Sequence, residues 1–281
     1  MPGAPAQRVH RIVLRWYAAH GRDLPWRRTR DPYAILVSEL MLQQTQVSRV
    51  IPKYREFLRR FPTVRALAAA RLRDVLAVWS GLGYNRRAKH LWEAAKAIVA
   101  RGCGLPRAVD ELRALPGIGR YTAGAVASFA FGAREAAVDT NVRRVLSRAL
   151  RGVDRLADSQ AWRCATAVLP RDAARWNHAL MDIGALYCRA TPNCASCPLR
   201  RACKYSRAGA LRITARPRAR PAARRAVQRY EGSRRQHRGR VIRALTGVPH
   251  MSLTRLGPQV KEGFGKSDLP WLRALLADLE R

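Results

Sequence analysis

The stretch LPGIGRYTAG, residues 115–124, joins two predicted helices through a very short connection. Gly117 and Gly119, on either side of Ile118, allow a hairpin too tight for side chains, so that backbone N–H groups at the next helix start can face a phosphate. This pattern is typical of a helix-hairpin-helix, which grips a DNA backbone without reading its sequence. An ordinary turn between two helices explains the same residues, and this stretch alone leaves both interpretations open.

The surrounding sequence indicates helix after helix. From about residue 5 to residue 205, apolar residues recur at helical spacing, Gly and Pro separate the runs, and no alternating strand pattern competes. The runs are QRVHRIVLRWYAAH, YAILVSELMLQQTQVSRVIPKYREFLRRF, LRDVLAVWSGL, AKHLWEAAKAIVA, YTAGAVASFAFG, NVRRVLSRAL and WNHALMDIGALYC. The sequence therefore predicts an all-α body.

Charge and composition indicate a polyanionic partner. The chain has 281 residues, of which 48% are apolar, and its 54 Lys and Arg against 19 Asp and Glu give a formal charge of +35. Nucleic acid or an acidic membrane surface would suit this charge, although genome composition explains part of the Arg excess. The first twenty residues lack the apolar core of a secretory signal, and no run reaches the roughly 18 apolar residues of a membrane span. We therefore expect a soluble, intracellular protein whose thiols stay reduced.

Four of the six cysteines lie in CRATPNCASCPLRRAC, residues 188–203, with the spacing C-x5-C-x2-C-x5-C. Loops this short can wrap four thiolates around one centre, whereas disulfides between such near neighbours would strain the loop. An iron–sulfur cluster fits the single C-x2-C pair better than a two-knuckle zinc site, but zinc and a bare thiol loop stay open. Cys103 and Cys164 stand alone and are interpreted as buried packing residues.

Two carboxylates are candidate catalytic residues. Glu39 lies in the apolar run ILVSELMLQQTQV, where desolvation would raise its pKa and keep a general acid protonated near neutrality. A surface position beside Ser38 and Gln43 is the alternative. Asp139 precedes a helix, where it suits an N-cap, and a carboxylate there can also stabilise a developing cation.

The order of motifs resembles the MutY-type adenine DNA glycosylases of the helix-hairpin-helix glycosylase superfamily, over roughly residues 5–205. QQTQ separates this family from its relatives. The matching stretches are LPWR (24–27), SELMLQQTQV (38–47), GLGYNRRAKHL (81–91), LPGIGRYTAGAV (115–126), VDTNVRRVL (138–146), ALMDIGALYC (179–188) and the cysteine loop.

The resemblance implies an all-α fold with two helical subdomains flanking a DNA-binding cleft. It also implies a monofunctional glycosylase that removes adenine mispaired with guanine or 8-oxoguanine after flipping it out of the duplex. Glu39 would protonate the base and help activate water, and Asp139 would stabilise the oxocarbenium ion or a covalent sugar intermediate. Tyr121 and Asn141 match positions that orient these groups. In the endonuclease III relatives a Lys replaces the residue at position 121 and attacks the sugar, which Tyr cannot do.

On the opposite strand, Gln44, Thr45, Leu82 and Tyr84 match the family's wedge residues, which fill the gap and contact the orphan base. Loop and core packing is the alternative for all four. Gln43 and Gly83, in the same stretches, and Gly117, Ile118 and Gly119 complete the expected DNA contacts. The resemblance also implies a [4Fe-4S] cluster on Cys188, Cys194, Cys197 and Cys203. One departure is that RATPN supplies five residues where the family usually has six between its first two cysteines.

Five segments are expected. They are an N-terminal helix (1–26) packing with the cluster subdomain, a six-helix subdomain with the hairpin (27–134), the cluster subdomain (135–205), an Arg-rich linker (206–232) and a short helical module (233–281), which could be a truncated winged helix. Only 78 residues follow Cys203, too few for the Nudix-like domain of full-length family members. We therefore expect a weaker preference for 8-oxoguanine, with the basic tail adding salt-sensitive affinity.

The expected partner is double-stranded DNA carrying A:G or A:8-oxoguanine mispairs, with no membrane involved. The protein is expected to be a monomer in the cytoplasm, associated with the nucleoid. Two alternatives are a thymine or uracil mismatch glycosylase of the same superfamily and a non-catalytic iron–sulfur DNA-binding protein.

Overall fold

The computed structural model describes residues 4–102, 104–209, 231–246, 248 and 250–280, and its regular secondary structure is helical. No β-strand occurs in these residues, which confirms the all-α prediction. The helices are α1 (Ala4–His20), α2 (Pro32–Leu42), α3 (Val47–Arg60), α4 (Val64–Ala69), α5 (Leu72–Trp79), α6 (Arg86–Ala100), α7 (Val109–Arg113), α8 (Arg120–Phe131), α9 (Thr140–Leu146), α10 (Asp158–Ala167), α11 (Ala173–Leu186), α12 (Lys204–Arg207), α13 (Arg234–Thr246), α14 (Leu253–Val260) and α15 (Leu269–Glu280).

The chain divides into two compact units. Unit 1 comprises Met1–Gln43 and Arg101–Arg218, and unit 2 comprises Gln44–Ala100 and Ala219–Arg281. The five segments expected from the sequence stay a prediction.

The N-terminal helix of unit 1 packs on α11. Val9, Val13 and Trp16, at helical spacing on α1, are buried, whereas the arginines between them are exposed. They share one hydrophobic core with Trp176 and Leu180 of α11, to which α9 and α10 also contribute. This core fixes the segment from Ala136 to Ala149, which carries Asp139 and Asn141.

A second contact in unit 1 joins α2 to α8. Asp31 caps α2 by accepting a hydrogen bond from the backbone N–H of Tyr33, and Pro32 occupies the first turn. Every residue from Tyr33 to Met41 is buried, because α2 lies against α8. At Gly124 of α8 a Cβ would collide with the carbonyl oxygen of Ala136, so glycine permits the close approach of that segment.

Unit 2 has two hydrophobic clusters. Within α3–α6, the buried rings of Phe57 and Trp79 meet edge to face with centroids 5.9 Å apart. The C-terminal helices form their own small core of Val241, Leu256, Val260, Leu272 and Leu275. Helix α13 also packs against α5, so this module adjoins the helices that precede residue 100.

The long run from Tyr33 to Phe61, which has a single helical pattern in the sequence, forms two helices. Helix α2 ends at Leu42 and α3 begins at Val47. Between them Gln44 has a φ of 55°, in the left-handed region, which interrupts the helical backbone. The QQTQ stretch is therefore a connection that exposes polar side chains.

The Arg-rich linker expected at residues 206–232 lies largely outside the described residues. Its first residues belong to α12 or follow it, and α13 begins at Arg234. The three helical patterns expected between residues 233 and 281 correspond to α13, α14 and α15. Among the described helices, none combines the length and the apolar character that crossing a bilayer requires.

Candidate active site

Glu39 is a buried carboxyl group within the buried part of helix α2, and only 4% of the residue is exposed. This position excludes the surface alternative. The pKa of Glu39 is raised to about 7, chiefly by burial and also by the negative charge of Asp139, while a hydrogen bond from Tyr121 and the charge of Arg27 act in the opposite direction. Its Oε2 atom is buried and has no hydrogen-bond partner among the described residues. A carboxyl group in this state can hold a proton near neutrality and give it to a group placed beside Oε2.

Tyr121 brings α8 into the same site. It is the second residue of α8, directly after the hairpin, and its hydroxyl donates to the Glu39 carboxyl group. Burial raises the pKa of Tyr121 well above its usual value, and the charges of Glu39 and Asp139 act in the same direction. Tyr121 therefore stays protonated and stabilises the ionised form of Glu39.

Asp139 is the N-cap of α9. Its Oδ1 accepts from the backbone N–H of Val142 at 2.7 Å, and its Oδ2 accepts from Nδ2 of Asn141 at 2.8 Å. Burial raises the pKa of Asp139, against these hydrogen bonds and the charge of Arg144. The charge of Asp139 in turn acts on both Glu39 and Tyr121, so the structure brings these three groups together.

Asn141 is held by Arg144, whose Nη2 donates to Asn141 Oδ1 and to the carbonyl oxygen of Gly184, each at 2.8 Å. The same guanidinium donates to the carbonyl of Cys188 through Nε. Because Asn141 Oδ1 is occupied, its amide N–H faces Asp139. At Gly184 a Cβ would lie 2.5 Å from the Cβ of Asn141, so only glycine fits there.

Arg22 and Arg27 form a buried ion-pair cluster with Asp182 of α11. Arg27 donates to both oxygens of Asp182, at 2.7 and 2.9 Å, and Arg22 Nε donates at 2.6 Å. Burial by itself would raise the pKa of Asp182, but the hydrogen bonds and charges of the two arginines hold it below its usual value. Arg27 thereby fixes a positive charge that acts on Glu39.

Sequence reasoning gave no role to Arg27, Asp182 or Arg144, although all three lie in the quoted motifs. One usable signal was a lone Asp in the apolar run ALMDIGAL, since a buried carboxylate needs a partner. No comparable signal marked its partners among 54 basic residues.

The four clustered cysteines lie close together in unit 1. Burial, together with the charges of Cys188, Cys194 and Cys203, raises the pKa of Cys197 to about 12. The four thiols are therefore close enough to interact electrostatically. The buried Arg148 lies with Nη1 3.6 Å from Cys188 Sγ. Among the described residues no group of three or more His, Cys, Asp or Glu side chains is arranged to hold a metal ion.

The hairpin of unit 1 has the expected glycine geometry. Gly117 has a φ of 72°, which favours glycine, and Ile118 is buried between the two glycines. Gly119 is the N-cap of α8, and no side chain of the described residues caps this helix start. Its backbone N–H groups can therefore serve an external anion.

The expected wedge residues lie in unit 2, where the buried Arg87 joins them. Its Nη2 donates to Thr45 Oγ1 at 3.0 Å and to the carbonyl oxygens of Leu82 and Gly83 at 3.3 and 3.1 Å. Leu82 is buried at 4% exposure, whereas Tyr84 is 42% exposed with a φ of 48°. Tyr84 is thus the large side chain of this loop that is exposed to solvent.

Comparison with known proteins places this site in a family. Residues 37–162 match the HhH-GPD superfamily base excision DNA repair protein family. The adenine DNA glycosylase of Mycolicibacterium smegmatis is 47% identical over 83% of this chain and 78% of that protein. The adenine DNA glycosylase of Mycobacterium tuberculosis is 44% identical over 83% of this chain and 77% of that protein.

A solved thermostable thymine-DNA glycosylase has the same fold. It superimposes with a TM-score of 0.67 at 29% identity, over 73% of this chain and 97% of that structure. The resemblance read from the motifs is confirmed, and the chain belongs to the adenine DNA glycosylase family of the HhH-GPD superfamily.

Proposed function

We propose that this protein hydrolyses the N-glycosidic bond of adenine mispaired with guanine or 8-oxoguanine in DNA. The observation that carries the proposal is Glu39, a buried carboxyl group with a pKa of about 7 and an unpartnered Oε2, beside Asp139. Membership of the adenine DNA glycosylase family supports adenine as the base and base excision repair as the process.

The two carboxyl groups suit the two needs of this bond cleavage. When the bond between C1′ and N9 breaks, electrons move onto the purine and positive charge develops on the sugar. Glu39 gives its proton to the flipped adenine at N7, while Asp139, as a carboxylate, stabilises the cationic sugar. Ionised Glu39 then accepts a proton from the water that adds to C1′, which restores the acid.

Tyr121 supports a monofunctional reaction. The Tyr121 hydroxyl donates a hydrogen bond to Glu39, and the pKa of Tyr121 is raised well above its usual value. The side chain therefore stays protonated and does not attack the sugar as an amine would. Without a lysine at this position no Schiff base forms on the sugar, and the DNA strand is left uncut.

The loop Gly81–Tyr84 supports recognition of the orphan base. Tyr84 is exposed and would stack in the gap that the flipped adenine leaves, with Thr45 tied to the same loop through Arg87. The uncapped start of α8 would bind the DNA backbone through its N–H groups.

The cysteine loop supports a [4Fe-4S] cofactor. Four cysteines lie within sixteen residues of unit 1, and the Arg148 guanidinium lies 3.6 Å from Cys188 Sγ, where it would stabilise a thiolate ligand. Cys188, Cys194, Cys197 and Cys203 would hold the cluster. Iron and sulfide assays on the purified protein test this, and zinc in place of iron would reject it.

The assay that tests the function presents duplexes with A opposite 8-oxoguanine, A opposite G and T opposite G, and identifies the released base by chromatography. We expect adenine from the first two duplexes only, from a protein that acts as a monomer. Release of thymine alone would favour the thymine-mismatch alternative. Tight binding without release of any base would favour a non-catalytic DNA-binding protein.

A further inference from the structure

The exposed Tyr84 ring is covered by an arginine from the C-terminal module. The guanidinium carbon of Arg235, on the first turn of α13, lies over this ring, 4.2 Å from its centroid. Arg87 also lies over the ring, at 5.4 Å. The ring of a 42% exposed tyrosine is therefore held by cations from two different helices of unit 2.

The packing of α13 brings Arg235 to this position. Helix α13 packs against α5, and α5 leads directly into the loop Gly81–Tyr84. Val241 anchors α13 in the small core formed with α14 and α15. The guanidinium nitrogen Nη2 of Arg235 would lie 3.9 Å from a Cβ placed at Gly83, so Arg235 also lies beside this residue of the loop.

Other arginines of α13 bond within the module. Arg234 pairs with Asp278, and Arg238 donates to the Asp278 carbonyl oxygen at 3.4 Å. Arg240 donates to the Val260 carbonyl oxygen at 3.1 Å. Arg235, on the same helix, lies over the Tyr84 ring.

The loop backbone needs such support. Gly81, Gly83 and Tyr84 all have positive φ values, of 95°, 72° and 48°, and this conformation is unfavourable for tyrosine. An exposed ring on such a backbone would sample several rotamers before it meets DNA. A planar guanidinium stacked on the ring restricts it, and a restricted side chain loses less entropy on insertion.

We propose that Arg235 is a positioning residue that holds Tyr84 ready to enter the duplex beside the orphan base. The C-terminal helices thereby take part in mispair recognition. This inference rests on the wedge role given to Tyr84 in the proposed function.

The test compares Arg235→Ala with Arg243→Ala, which removes the same charge from an exposed position on the last turn of the same helix. Affinity is measured for duplexes in which a non-hydrolysable adenosine analogue lies opposite 8-oxoguanine or opposite G. We expect Arg235→Ala to weaken binding to the 8-oxoguanine duplex roughly two- to fivefold more than the control does. Arg235→Lys keeps the charge without the planar group and should show a smaller loss of affinity than Arg235→Ala. The lysine variant also provides a test if the alanine variant fails to fold.

A double-mutant cycle separates positioning from simple attraction to phosphates. In a Tyr84→Ala background, Arg235→Ala should cause no further loss of affinity, because the ring it holds is gone. Additive losses, or equal effects of Arg235→Ala and Arg243→Ala, would overturn the inference.

The same measurements distinguish this inference from the proposed function. If the wild type releases adenine and Tyr84→Ala weakens binding while Arg235→Ala does not, only the role of Arg235 is rejected. If Tyr84→Ala leaves binding unchanged, the wedge role is rejected and the inference with it. If the wild type releases no adenine, the proposed function itself is wrong.

Discussion

Removing the Tyr121 hydroxyl should move the pH dependence of adenine release to higher pH. The general acid must be protonated, so the rate falls as pH rises through the Glu39 pKa of about 7. The hydrogen bond from Tyr121 favours the ionised carboxylate and therefore lowers this pKa. A hydrogen bond to a charged group contributes about 1.5–3 kcal/mol, and one pH unit corresponds to about 1.4 kcal/mol. In Tyr121→Phe the alkaline limb of the pH–rate profile should therefore move to higher pH by about one to two units.

The assay is the single-turnover rate of adenine release from a duplex with A opposite 8-oxoguanine, measured across the pH range in which the protein stays folded. The position of the limb is compared after each profile is scaled to its own maximum, because the variant also loses orientation of Glu39. Tyr33→Phe is the matched control, since it removes a buried tyrosine hydroxyl from the same helix as Glu39. Its limb should stay near that of the wild type.

An alkaline limb that stays in place or moves to lower pH in Tyr121→Phe would refute this reasoning. The acid limb of the same profile provides a second check. The rate should fall as pH drops through the Asp139 pKa, which burial raises, because Asp139 must be ionised to stabilise the sugar cation. Since the two carboxyl groups interact, the two limbs report the pair rather than either group alone.

Three further variants test other parts of the site. Gly184→Ala places a Cβ 2.5 Å from that of Asn141 and should lower the rate of adenine release on the order of a hundredfold, while DNA binding is retained. An unchanged rate would contradict the role of Asn141 in the site. Asp182→Asn removes the buried anion that pairs with Arg27 and Arg22 and should cost about 3–5 kcal/mol in chemical denaturation, because the Arg27 side chain is only 8% exposed and loses its charged partner. Folding lowers the Asp182 pKa, so the difference in unfolding free energy between wild type and variant should be largest above the unfolded pKa of about 3.9. It should shrink as pH falls below that value. A difference independent of pH would contradict the ion pairing of Asp182. Tyr121→Lys should gain DNA that borohydride traps covalently, and failure to trap would count against the placement of residue 121.

Much of the fold follows from local patterns in the sequence. The helical periodicity, the glycines of the hairpin and the Asp139 N-cap each act within a few residues, and the structure has helices where they predict them. The interruption at Gln44 was not predictable from periodicity, because helical spacing continues through QQTQ while the backbone turns left-handed.

The central carboxyl group of the candidate site was predictable from the sequence, but the residues that hold the site in place were not. Glu39 stood out as one carboxyl group in an apolar run, but only the packing of α2 against α8 decides between burial and exposure. Arg27 and Asp182 lie 155 positions apart in the chain, and no local rule pairs them. The contact of Arg235 with Tyr84 depends likewise on tertiary packing, since α13 meets α5 from the far end of the sequence.

The central claim is that Glu39 supplies the proton on which adenine release depends. The most direct measurement is the single-turnover rate of Glu39→Gln on a duplex with A opposite 8-oxoguanine, together with its affinity for the same DNA. We expect the rate to fall by roughly 10²–10⁴-fold while affinity stays close to that of the wild type. A rate within a few-fold of the wild type would show that the proton comes from elsewhere.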